Sequence, residues 1–147
     1  AAIYEDNLYT LSGNTVNKYA DALRGGAKAA VWGTLETPAI AIAVDGNLYA
    51  LSTDGILAKY FKGKKENAVS LNVVPDANAK LQAHKDSALL YLANLSAKRL
   101  YAFEKASGVL QTTYKLEVIG DISDARLASD GTLWLLASDG KVWNIKP

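Results

Sequence analysis

Residues 45–60 read DGNLYALSTDGILAKY and residues 130–145 read DGTLWLLASDGKVWNI, and the two stretches superpose without a gap at an offset of 85. A chain that repeats itself at a fixed period folds as a series of like units, so this self-similarity constrains the fold more than any bulk property. A third copy opens the chain as Asp6-Asn7-Leu8-Tyr9-Thr10-Leu11, and a looser fourth runs from Asp86 to Ala93 through Leu89-Leu90-Tyr91-Leu92. Taking Leu8, Leu48, Leu90 and Leu133 as equivalent gives successive spacings of 40, 42 and 43 residues. That is room for a few short elements and their turns per repeat.

The texture between turns identifies those elements. Apolar runs last about 5–8 residues, are rich in Val, Ile, Leu, Tyr and Trp, and lack a 3.6-residue stripe, which predicts strands. Asp45-Gly46, Asp54-Gly55, Asp130-Gly131 and Asp139-Gly140 each separate two such runs. Asp-Gly favours tight hairpins because both residues tolerate positive φ, so each repeat reads as a meander. In the second repeat the four strands, A to D from the inside out, fall at 39–44, 47–52, 56–61 and 68–73. Strand A alternates small and branched residues (Ala39-Ile40-Ala41-Ile42-Ala43-Val44) as expected where sheets converge on an axis. Strand B is apolar at consecutive positions in Leu133-Trp134-Leu135-Leu136 and Leu89-Leu90-Tyr91-Leu92, so both of its faces must be covered. Sheets stacked face to face around an axis meet that demand. An open two-layer sandwich ranks second, since it would alternate cleanly and needs no repeat of this length.

The expected fold class is therefore all-β: a β-propeller of about four four-stranded antiparallel blades, with repeats near 1–37, 38–76, 77–119 and 120–147 in a single domain. The stretches LYALSTDGILAKY (48–60) and RLYAFEKASGVLQTTYKL (99–116) resemble PQQ-like and NHL-like β-propeller repeats. The resemblance implies the blade architecture. PQQ-dependent dehydrogenases typically carry a Trp late in the blade motif, where Gln111, Thr112 and Thr113 stand here, so the resemblance implies a scaffold without the quinone cofactor. The last repeat has room for strands A (122–128), B (132–138) and C (141–145) and none for D, which predicts an unpaired outer edge. That edge, with an opening Ala1-Ala2-Ile3 and no methionine, leads to two expectations, a piece of a larger ring or self-association as a homodimer into a full one, ranked above a closed four-bladed monomer, whose sheets must bend around a tight axis.

Composition bounds the chemistry. Sixteen Lys+Arg against fifteen Asp+Glu give a formal charge of +1, which removes the global electrostatic reason to expect nucleic acid or an anionic membrane as partner. There is no cysteine, so disulfides, thiolate metal sites and cysteine nucleophiles are excluded. No apolar run approaches the roughly 18 residues of a membrane span.

Candidate sites are few. His84 is the only histidine, which rules out a two-histidine metal site within one chain and leaves a hydrolase triad a single base. It reads as a polar strand residue. The Asp-Gly pairs read as turns and not as calcium loops, which need converging oxygens. Gly25-Gly26 lacks the phosphate-loop pattern and reads as a connection between strands C and D. Lys59, Lys62, Lys64 and Lys65 beside Tyr60 and Phe61 form a basic cluster that reads as a solvated edge protecting an outer strand. Trp134 stands where Tyr9, Tyr49 and Tyr91 stand and is expected to pack between blades, whereas Trp143, equivalent to Ala58, is less constrained. Polar residues on inner strands line the channel, so Lys80, Gln82, Asp124 and Arg126 are the candidate ligand-binding residues, with Asp124 and Arg126 on one strand face as an ion pair. The loops at 36–38, 75–78, 95–99 and 119–121 would form one binding face.

The function this predicts is a non-enzymatic scaffold for protein, peptide or carbohydrate recognition, with no cofactor and no metal. The alternative is a sensor or accessory domain of a signalling enzyme, or a hydrolase- or quinoprotein-like propeller.

Overall fold

The computed structural model describes residues 1–26, 28–117, 120–128 and 130–146. The chain forms β1 (Ala2–Tyr4), β2 (Asn7–Ser12), β3 (Thr15–Ala20) and β4 (Lys28–Thr34) as blade 1. Blade 2 is β5 (Ala41–Val44), β6 (Leu48–Leu51), β7 (Ile56–Phe61) and β8 (Lys64–Ser70). Blade 3 is β9 (Lys80–Ala83), β10 (Leu89–Asn94), β11 (Arg99–Glu104) and β12 (Leu110–Lys115). Blade 4 has three strands, β13 (Ile122–Leu127), β14 (Leu133–Ala137) and β15 (Val142–Ile145), and β15 is the open outer edge predicted above. All pairings are antiparallel between consecutive strands, so the architecture is a four-bladed β-propeller of meanders.

Local chemistry accounts for the hairpins. Gly46, Gly55, Gly131 and Gly140 all have positive φ, and Asp45, Asp130 and Asp139 each accept the backbone N–H two residues on. Gly55 is doubly constrained: at φ +80° a Cβ would also collide with the Val73 carbonyl oxygen. The outermost strand of blade 2 begins earlier than the 68–73 expected, at Lys64, because Lys62 and Gly63 both take positive φ and close a tight hairpin that the lysine-rich sequence disguises. The lysines there pair with carboxylates, Lys59 with Glu66 and Lys65 with Glu36, each at 2.7 Å. The 22–26 connection is a single 3-10 turn ending on Gly25, and Ala27 lies outside the described residues.

Each blade has a leading face toward the next blade and a trailing face toward the one before, and cross-strand pairs assign residues to them. On the leading faces stand Tyr9 and Val16, Tyr49 and Leu57, Tyr91 and Leu100; on the trailing faces stand Leu48 with Tyr60, Leu90 with Phe103, and Leu133 with Ile145. Leading and trailing sets of successive blades make three cores, between blades 1 and 2, 2 and 3, and 3 and 4. The tyrosines at the leading position are 6 %, 3 % and 6 % exposed, and burial pushes all three phenols up. Tyr49 reaches about 12, through burial first and then the negative charge of Asp45.

Blade 4 departs from the expectation for Trp134. Among the described residues no core joins its leading face to another blade, and Trp134 is 44 % exposed, with Leu136 and Val142 open beside it. The indole does not pack between blades, because among the described residues no sheet covers that side.

An interaction that pattern reading does not reveal locks blades 2 and 3. Asp45 and Lys105, with side chains 4 % and 12 % exposed, form an ion pair; the Lys105 ammonium also donates to the His84 carbonyl at 2.6 Å and lies 5.9 Å from the Tyr49 ring centre. Asp45 thus serves its turn with one carboxylate oxygen and the interblade contact with the other.

Two stability measurements follow from this packing. Lys105→Ala leaves a buried carboxylate unpaired and should cost about 3–5 kcal/mol in denaturant unfolding, most of it recovered when Asp45→Asn is added. Tyr91→Ala should cost about 3–5 kcal/mol, whereas Trp134→Ala should cost about 1 kcal/mol or less, because most of its cavity term is missing. Equal costs for the two aromatics would contradict the open face.

Candidate functional site

Two inner strands carry the predicted channel residues, β9 with Lys80 and Gln82 and β13 with Asp124 and Arg126, and each residue ends in a different role. Lys80, Gln82 and Arg126 line one small axial pocket together with Ile40, Ala41 and Ile42. Burial, then the charges of Lys80 and Arg126, lower the Ala1 amine, which sits at the same mouth. Asp124 and Arg126 form the ion pair expected from their spacing, Oδ2 to Nε at 3.2 Å, while the Asp124 Oδ1 atom is buried without a partner among the described residues.

Gln82 is tied into the scaffold. Its Nε2 donates to the Ala125 carbonyl at 3.1 Å and its Oε1 accepts the Leu127 N–H at 3.4 Å, so one side chain bridges the inner strands of blades 3 and 4. Both of its hydrogen-bonding ends are thereby occupied. Lys80, two residues earlier on the same strand face, makes no ion pair among the described residues and also borders a second, larger opening.

That opening is a polar cleft of about 480 Å³ between blades 3 and 4, with Asn78, Leu95, Ser96, Asp121 and Ser123 in its walls beside Lys80. It brings together three of the four loops expected on one face: 75–78, 95–99 and the described part of 119–121; Ile119 lies outside the described residues. The loop at 36–38 belongs to the seam between blades 1 and 2, where the Glu36 N–H donates to the Tyr60 hydroxyl at 3.2 Å. Lys98 reaches Asp121 at 3.4 Å across the cleft rim.

Two residues that pattern reading missed hold these loops. Asn94 is buried; its amide donates to the Val74 carbonyl at 3.1 Å and its Oδ1 accepts the Asp76 N–H at 3.1 Å. Asp76 in turn accepts the N–H groups of Asn78 at 3.1 Å and Ser96 at 2.8 Å. The loop entering blade 3 and the hairpin leaving β10 are therefore one hydrogen-bonded unit. The available signal was Asn94 closing an otherwise apolar strand, where a polar side chain must find partners.

His84 follows β9 directly, and its Nδ1 accepts the Asp86 N–H at 3.3 Å, a turn contact. Among the described residues no group of three His, Asp or Glu side chains converges as a metal would require, and no helix is long and apolar enough to cross a membrane.

No family model matches this chain, and no curated protein matches it in sequence. Solved structures do match in shape. Glutaminyl cyclase from Myxococcus xanthus superposes with a TM-score of 0.74 at 8 % identity over 97 % of this chain and 69 % of that one. A streptogramin B lyase superposes at 0.60 with 12 % identity, over 95 % of this chain and 51 % of that one. BamB from Moraxella catarrhalis does so at 0.60 with 10 % identity, over 97 % and 42 %. The chain thus spans about half of the lyase and less than half of BamB. At these identities the likeness establishes the propeller fold.

The same comparison corrects one expectation. The reading that a chain of this kind is not an enzyme is overturned, because a glutaminyl cyclase and a streptogramin B lyase are both built on this fold. A propeller without a familiar triad is no ground for excluding catalysis.

The Gln82 bridge is directly measurable. Gln82→Ala removes both interblade hydrogen bonds and exposes two backbone groups near the axis, so unfolding free energy should fall by about 1–3 kcal/mol. Gln82→Glu, which can accept from Leu127 and cannot donate to Ala125, should fall between.

Proposed function

We propose that this chain is a propeller scaffold that recognises a protein or peptide partner through the cleft between blades 3 and 4, with Lys80 taking an acidic group of the partner. The cleft carries this reading: it is open, polar and walled by loops of two blades, and Asp76 and Asn94 fix the shape of the blade 3 wall in advance. A preorganised wall spares a ligand the entropy of ordering its site. An ammonium without an ion partner on such a wall favours carboxylates. Peptide is favoured over carbohydrate because no aromatic side chain lines the cleft among the described residues, and sugars bind best against a flat ring.

Lys80 and Arg126 extend the cationic character toward the axis, with Asp124 neutralising part of it. Gln82 contributes by holding the two cleft-forming blades in register. The open leading face of blade 4 and the open trailing face of blade 1 support a further reading, that the scaffold works inside a ring with more blades than these four.

A displayed random-peptide library panned against the chain tests this reading. Peptides carrying Asp or Glu should be enriched, and Lys80→Glu should weaken the selected peptide by tenfold or more at unchanged far-UV circular dichroism. Peptides that bind Lys80→Glu as tightly as the parent, or a library with no acidic enrichment, would sink the proposal.

A further inference from the structure

Arg126 lines the axial pocket and takes no part in the cleft between blades 3 and 4. Its Nε is engaged by the Asp124 carboxylate at 3.2 Å, while its two terminal nitrogens meet no carboxylate among the described residues. A guanidinium held at Nε keeps its forked end for a second acceptor, and two oxygens on one centre match that fork. Lys80, the other cation of the pocket, also has no ion partner among the described residues.

The pocket holds about 90 Å³, and Ile40, Ala41 and Ile42 form an aliphatic part of its wall. A narrower space that shares Gln82 and Arg126 continues it along the axis past Ile3 and Val44, so all four inner strands enclose the channel. Both cations act on one region. The Ala1 amine at the same mouth is pushed down by burial first, then by Lys80 and by Arg126, with Asp124 acting the other way. Lys80 and Arg126 against Asp124 leave one positive charge in excess, and aliphatic walls focus a field that water would otherwise screen. Gln82 does not compete for what enters. Its bonds to the Ala125 carbonyl and the Leu127 N–H fix β9 against β13, the two strands that carry the cations, so the pair is set in place before any ligand arrives.

We propose that this axial pocket is a binding site for a small free oxyanion, held by the forked end of Arg126 and the ammonium of Lys80. Size sets the class: about 90 Å³ admits an ion the size of phosphate, sulfate or acetate, whereas drug- and cofactor-sized ligands occupy roughly 300 Å³ or more. The site shares only Lys80 with the peptide cleft, and it stands whether or not a peptide binds there.

A protein-observed NMR titration of the 147-residue chain with sodium phosphate at pH 7, against sodium chloride at equal ionic strength, tests the site. Phosphate should shift the backbone amides at 80–82 and 125–127 and saturate with a Kd of about 1 mM. Arg126→Gln should weaken binding tenfold or more, Lys80→Gln about tenfold, and Arg126→Lys, which keeps the charge and loses the fork, by an intermediate factor. Lys62→Gln, which removes the same charge from an outer hairpin, should leave the Kd within about twofold.

Shifts that fail to saturate by about 50 mM phosphate, or that chloride reproduces, would overturn the proposal. So would a Lys62→Gln loss equal to that of Lys80→Gln, since binding would then be diffuse. Adenosine monophosphate binding as tightly as phosphate would reassign the pocket to the phosphoryl end of a larger ligand and overturn the free ion. Should Arg126→Gln not fold, an unchanged Kd in Lys80→Gln and Arg126→Lys overturns the assignment equally. No peptide is present in this titration, so a failed peptide selection leaves its result untouched.

Discussion

Burial of both faces of every blade is the constraint from which the rest of this structure follows. An antiparallel sheet in water ordinarily keeps one polar face, and this chain gives its middle strands no such face: Leu48, Tyr49, Ala50 and Leu51 are buried in succession. Such a strand is stable only between two other sheets. Stacking along a line would leave two costly ends, whereas stacking around an axis leaves none once the ring is complete. The alternation of Ala and branched residues on β5 is what lets sheets approach at the narrow end of each wedge.

Where that constraint leaves polar groups buried, the chain meets them with specific partners, and those partners set the shape of the loop face. Asp45 and Lys105 neutralise each other between blades 2 and 3, Gln82 satisfies two backbone groups between blades 3 and 4, and Asn94 with Asp76 stitches a loop to a hairpin. The first two cross an interface that apolar packing alone would leave free to slide, and the third fixes a loop against its own blade. The cleft beside Lys80 inherits its form from the last two, so its walls and the hydrogen bonds that hold blade 3 and its neighbours together are the same contacts.

Much of the fold was legible because period and turn chemistry are local properties. Four Leu positions about 42 residues apart and four Asp-Gly pairs suffice to place six of the seven strands of the second and fourth repeats near their observed ranges; β8 was misplaced because Lys62-Gly63 makes a hairpin without the usual Asn or Asp. The inner-strand polar residues were also legible, since alternation fixes which face they share. Their roles were not: whether Gln82 faces a ligand or the Ala125 carbonyl depends on the spacing between blades, which no stretch of either strand encodes. Asp45 shows the same limit, for its Asp-Gly reads like the other three and differs only in having Lys105 sixty residues away.

Trp134 carries this reasoning furthest. Repeat alignment correctly set it beside Tyr9, Tyr49 and Tyr91, and the structure leaves it exposed, so the disagreement lies in the number of neighbours and not in the equivalence of positions. A surface-facing sheet of this length would be expected to trade its aromatic for a polar residue, since an exposed apolar edge invites aggregation. Blade 4 keeps the aromatic, the aliphatic beside it and the aliphatic on the adjoining strand. Residues with the identities of an interior and the exposure of a surface thus mark blade 4 as the one repeat whose leading face no other described sheet covers.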